Sequence, residues 1–155
     1  MASMEFEFKD MPKFKERLKS LREAAAEVMG KAALAGAELA EGYIKDNIRD
    51  HKLIDTSNLI ENVRAKLDKA EGQMAEASVG PRGVKYARIH EYGGIVKAKN
   101  KPFLVFQTKD GAWHSVKSVH IPARPYMRPA FDEHEQDISD VMARVIERKL
   151  KEVGK

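Results

Sequence analysis

The stretch Ile121-Pro-Ala-Arg-Pro-Tyr-Met-Arg-Pro129, written IPARPYMRP, holds three prolines and two arginines within nine residues. Proline fixes φ and has no backbone N–H, so this stretch is neither strand interior nor helix interior. An alternating, strand-like pattern runs into it and a charged helical pattern leaves it. It therefore reads as the corner where a sheet hands the chain to a C-terminal helix. Pro122 and Pro125 end the ladder, and Pro129 suits the first turn of the helix. An active-site loop, a nucleic-acid clamp and the docking corner of an assembly protein would all use such a segment, so the rest of the chain must choose.

Downstream of the corner the spacing predicts a helix over 129–152. Asp132, Glu133 and Glu135 favour its positive end, and Arg148, Lys149 and Lys151 its negative end. Phe131, Ile138, Val141, Met142, Val145 and Ile146 form its apolar face. Upstream, 55–128 reads as sheet with one helical interruption. Two strands, about Leu59 to Asp68 and Gln73 to Val79, join through KAEG, where Gly72 supplies the turn. A short helix is expected near 84–92, stopped by Gly93-Gly94. Beyond it, Asp110-Gly111 signals a hairpin between LVFQT and WHSVK. Together these give a mostly antiparallel sheet of about four strands.

At the other end, Phe14, Leu18, Leu21, Ala25, Val28, Ala32, Ala35 and Leu39 recur at steps of four and three, predicting a long helix over 12–50. Such a helix would span roughly 55 Å at 1.5 Å per residue. A globule of this chain length is only about 40 Å across. The helix is therefore expected to break near Gly30 or Gly36, or to lay its small-residue face on a neighbouring subunit. The expected whole is one α+β domain over 1–155: a flexible segment at 1–11, the long helix, the sheet with its inserted helix, and a C-terminal helix packed on the sheet.

Composition narrows the chemistry. With 155 residues and no cysteine, the chain has no disulfide, no thiolate nucleophile and no thiolate zinc site. The N-terminus MASMEFEFKD lacks the apolar segment of a signal peptide, and no run approaches the roughly 20 apolar residues of a membrane span, so a soluble chain, intracellular when made, is expected. The net charge of +4 is unevenly spread: between 80 and 131 ten Lys and Arg face two Asp and Glu, a net +8. That block suits an anionic partner, either nucleic acid or acidic protein, or else a solvated basic loop.

No arrangement of residues specifies catalysis. His51, His90, His114, His120 and His134 form no HExxH or comparable metal spacing, and His90 beside Glu91 puts neighbours on different helix faces. Ser57, Ser78, Ser115, Ser118 and Ser139 lack a nucleophile elbow, and GPRG at 80–83 lacks the rest of a phosphate loop. No enzyme, metal or cofactor is expected. Tyr86, Tyr92, Trp113 and Tyr126 lie among the basic residues, as in single-strand binders, but aromatics on a meander also serve as cross-strand packing.

Four stretches in order, DTSNLIENV, ASVGP, YARIHEYGG and IPARPYMRPAF, followed by a closing helix, resemble the tail-completion or neck proteins of long-tailed bacteriophages. Thr56-Ser57-Asn58-Leu59 stands where that family has a Thr-Gly-x-Leu-like segment, with Ser in place of the common Gly. Tyr86, Ala87, Glu91 and Gly93 match a Tyr-Ala-x-x-x-Glu-x-Gly segment, and Pro122 through Ala130 match Pro-Ala-Arg-Pro-aromatic-x-Arg-Pro-Ala. The resemblance covers about 55–135. It implies a non-catalytic virion component, made in the host cytoplasm, that forms a homo-oligomeric ring, often sixfold, between the head connector and the tail. Its implied partners are further copies of itself, connector or head-completion proteins, tail-tube or tail-terminator proteins, and genomic DNA in the lumen, with no membrane. The rival class is a basic nucleic-acid-binding module outside a virion, and the third a metal-dependent hydrolase.

Roles follow for particular residues. Arg124 and Arg128, four apart, would share a face if the corner continues into helix, and their guanidinium forks suit carboxylates or carbonyls at a subunit boundary. Glu91 is the expected partner of one of them within the chain. Tyr86, His90 and Tyr92 are expected to pack the short helix on the sheet, and Tyr126 to stabilise the corner or its interface. Arg82, Lys85, Lys97, Lys99 and Lys101 are the candidates to face DNA or an acidic partner.

Overall fold

In the computed structural model, residues 11–53, 58–99, 101–108 and 110–153 are described. The segment expected to be flexible lies outside them except for Met11, as do Thr56 and Ser57 of the DTSNL stretch. The architecture is α+β. Helix α1 (Met11–Asp50) is followed by a single turn α2 (Asn58–Glu61) and strands β1 (Val63–Glu71) and β2 (Met74–Pro81). Then come α3 (Ala87–Tyr92), β3 (Gly94–Lys97), β4 (Leu104–Gln107), β5 (Trp113–Val116) and β6 (Ser118–Ile121). Helices α4 (Arg128–Asp132) and α5 (Glu135–Val153) close the chain.

The expected four-stranded sheet is instead three separate two-stranded ones among the described residues: β1 with β2, β3 with β6, and β4 with β5. The reason is topological. The β4–β5 hairpin is an excursion between β3 and β6, which pair antiparallel from Gly94↔Ile121 to Lys97↔Ser118. The hairpin pairs only within itself, from Leu104↔Val116 to Gln107↔Trp113. Gly72 and Gly111, at φ 57° and 84°, supply the two turns the sequence marks.

Two further boundaries differ from expectation. Leu59 to Asn62, read as strand, instead form a helical turn and its end, closed by the Asn62 side-chain amide on the Asn58 carbonyl and side-chain oxygens, both at 2.7 Å. The single C-terminal helix expected over 129–152 starts at Arg128 and divides at Glu133–His134 into α4 and α5. Phe131 consequently leaves the apolar face and is exposed.

The chain packs as two compact units. The first comprises residues up to Leu39, Ala65–Val79 and the chain from Gln136 onward. Here α1 does not break at its glycines. A Cβ at Gly36 would lie 2.8 Å from Met142 Cγ, and one at Gly30 would lie 3.1 Å from Ala70 Cβ and 3.2 Å from Leu67 Cδ2. Gly30 and Gly36 thus let β1 and α5 of the same chain approach the helix backbone. Ion pairs Lys19–Glu23 and Lys31–Glu27 follow the four-residue helical spacing on the outer face.

The second unit comprises Ala40–Arg64 and Gly80–Glu135 and holds most of the buried apolar residues. Ala40, Ile44 and Ile48 recur every four residues on α1 and are fully enclosed with Leu59, Val63, Tyr126 and Ala130. The helix stops cleanly after Asp50. The Leu53 N–H donates to the Ile48 carbonyl and the Lys52 N–H to the Arg49 carbonyl, with Lys52 left-handed at φ 52° and Leu53 buried behind it.

Candidate functional site

The corner is built by backbone accounting. Prolines 122, 125 and 129 offer no N–H, and α4 opens on Met127, a residue with no side-chain acceptor to cap its own helix. Four of the donors that remain are satisfied from α3. The Arg124 N–H donates to the His90 carbonyl at 2.7 Å. Those of Tyr126 and Met127 donate to Glu91 Oε2 at 2.8 and 2.9 Å, and that of Arg128 to Glu91 Oε1 at 3.0 Å.

Glu91 is 7% exposed and so has given up most of its hydration for three charge-assisted bonds to consecutive amides. Sitting at the start of α4, the carboxylate also faces the positive end of that helix. This corrects the expected pairing of Glu91 with an arginine side chain: it grips the backbone. The signal was available, because three consecutive N–H groups entering a helix with no cap of their own require an acceptor from elsewhere.

Tyr126 is the centre of the corner. It is 1% exposed, its hydroxyl donates to the Ala87 carbonyl at 3.2 Å, and the Asn47 side-chain amide donates to its own carbonyl at 3.0 Å. Burial, then the Glu91 charge and Tyr92, push its pKa up to about 12. The unfolded value is about 10, so the neutral phenol contributes stability that is complete below about pH 10 and lost as pH rises towards 12. Urea unfolding of the protein and of Tyr126→Phe across this range should show the extra alkaline loss in the former and its absence in the latter.

The remaining candidates fall elsewhere. Arg124 lies in the extended segment and Arg128 at the first residue of α4, so they do not share a helical face. Both are exposed, and among the described residues neither guanidinium makes a hydrogen bond or ion pair. Tyr86 and Tyr92 are exposed rather than packed, Tyr92 to 64%. Tyr86 meets the half-buried His90 edge-on at 5.7 Å. The six-residue helix buries its Ala87–Glu91 face instead, since residues four apart share a side. Arg82, Lys85, Lys97, Lys99 and Lys101 are all exposed and without an ion pair among the described residues.

Two contacts were missed in the sequence, the Asn47 bond and the stacking of Tyr43 on His134 at 3.5 Å, because each joins segments far apart in the chain. Among the described residues no three His, Asp or Glu side chains gather to hold a metal, and no helix is long and apolar enough to cross a membrane.

Residues 44–147, which include the whole corner, match the family model described as the phage virion morphogenesis family. The chain belongs to the phage virion morphogenesis family. Searches of curated proteins and of solved structures match nothing at significance. Membership makes this a virion protein with structural or assembly work, a role for which families of this kind are not typically enzymes. In this virion morphogenesis protein the matched span begins on the buried part of α1, at Ile44, and runs into α5.

Proposed function

We propose that the protein is a tail-completion or neck component that forms a homo-oligomeric ring, a hexamer in the favoured form, joining the tail to the head connector. The observation that carries this reading is the pair of unengaged guanidinium groups on a rigid corner. Glu91 and His90 already satisfy the local backbone, so Arg124 and Arg128 are not needed to hold their own chain together. A planar guanidinium held on a fixed backbone suits the carboxylates or carbonyls of an adjoining subunit.

The exposed residues Arg82, Lys85, Lys97, Lys99 and Lys101 add a positive surface for acidic neighbours, whether connector, tail-tube or terminator proteins, or for DNA passing through the ring. The test replaces Arg124 and Arg128 together by alanine in a phage that depends on this protein. The expected result is a protein that melts close to the wild type, since neither guanidinium holds a hydrogen bond or ion pair among the described residues, and a drop of about tenfold or more in joined, infectious particles. Normal particle yield with a folded double variant would remove the interface role.

A further inference from the structure

The β4–β5 hairpin leaves apolar side chains uncovered on both of its faces. The register places Phe106 opposite His114 on one face, with Val105 and Trp113 on the other. Val105 is 62% exposed, Trp113 70% and Phe106 38%. A lone two-stranded hairpin is marginal in water, and among the described residues this one pairs with no other strand. Its flanks are cationic: Lys97, Lys99, Lys101 and Lys117 are exposed, and none has an ion pair among the described residues.

The same unit carries a surface of opposite character. Phe131 on α4 is 42% exposed and is followed by Asp132, Glu133 and Glu135. These three acids are also exposed and also without an ion pair among the described residues. The first surface gathers several apolar side chains within a basic rim; the second sets Phe131 beside three acids, with Arg128 one turn before it on α4.

We propose that the hairpin of one copy docks on the Phe131 face of the next, so that hairpin lysines meet Asp132, Glu133 and Glu135 around a centre formed by Trp113, Val105 and Phe131. Different patches meet, so the contact is head-to-tail, and such contacts propagate round a ring when the rotation closes. The basic rim steers the approach and fixes register while the apolar centre supplies the burial. The proposal rests on the reading of the protein as a ring-forming component and names the surfaces that make the ring.

Two full-length variants test it: Lys99→Glu with Lys101→Glu on the hairpin, and Asp132→Lys with Glu133→Lys on the face. Each alone puts like charges together and should weaken self-association, followed by sedimentation, by about tenfold or more. An equal mixture should recover it, because every reversed hairpin then finds a reversed face and every native hairpin a native one. Unchanged association of either variant, or a mixture that stays apart, overturns the proposal. So does a hairpin variant that loses DNA binding but assembles normally, which would give the lysines to nucleic acid.

The absence of cysteine allows a second readout, Trp113→Cys with Phe131→Cys in one chain. Oxidation should produce a ladder extending past the dimer. A wild-type protein that assembles while this variant gives no ladder leaves the ring standing and removes these surfaces from it. A protein that neither assembles nor cross-links removes both.

Discussion

Replacing Glu91 by alanine is expected to destabilise the protein by about 3–4 kcal/mol, because it strips the acceptor from three neighbouring N–H groups at once. The amides of Tyr126, Met127 and Arg128 have no second partner in the corner, and the prolines around them prevent the segment from joining a strand or extending α4 backwards. Glu91→Gln separates geometry from charge. It keeps one oxygen but turns an amide donor towards the remaining N–H, so it should cost less, about 1–2 kcal/mol. Urea midpoints of the three proteins measure the series. Equal midpoints for Glu91→Ala and the wild type would mean that the carboxylate is not what holds the corner.

Gly93→Ala should cost about 3 kcal/mol or more. Gly93 has φ 67° and ψ −175°, a region that only glycine occupies without strain, worth of order 1–3 kcal/mol for another residue. The space is closed as well: a Cβ there would stand 2.7 Å from the Ala123 nitrogen and 3.0 Å from the Ile121 carbonyl oxygen. These are backbone atoms that cannot swing aside, Ile121 being held by the β3–β6 pair and Ala123 lying between it and the Arg124–His90 hydrogen bond. Thermal unfolding should show a large drop for this variant, with a melting point near the wild type as the contrary result. His90, Glu91 and Gly93 thus serve one purpose, pressing the end of α3 onto the proline-rich segment.

The parts of the fold legible in the sequence were those with a local cause. The four-and-three spacing in α1, the glycines at 72 and 93, and Asp110-Gly111 each act within a few residues, and each marks the element or turn it should. The divided C-terminal helix had no such cause, since Glu133–His134 carries neither proline nor glycine. His134 is instead held against Tyr43, a residue of α1. For the same reason the small residues of α1 looked like a weak point or an intersubunit face. Gly30 and Gly36 among them are packing surfaces for β1 and α5, which sequence spacing alone does not bring together.

The candidate site was half legible. That YARIHEYGG and IPARPYMRP belong together was contained in the expected pairing of Glu91 with Arg124 or Arg128, but that pairing followed charge and overlooked the backbone. In a proline-rich corner the unpaired amide is the scarcer and more demanding partner. An arginine side chain can reach water, whereas a buried N–H cannot.

The excursion between β3 and β6 gives the molecule a modular seam. Lys97 and Ser118 are Cα partners, so the chain departs and returns at one closed gate. A change of length between Lys97 and Ser118 is therefore expected to leave the corner that Glu91 secures where it is, since the β3–β6 register is set outside that segment. An exchange across that gate would replace the exposed Val105, Phe106 and Trp113 together and leave the Glu91 hydrogen bonds of the corner in place.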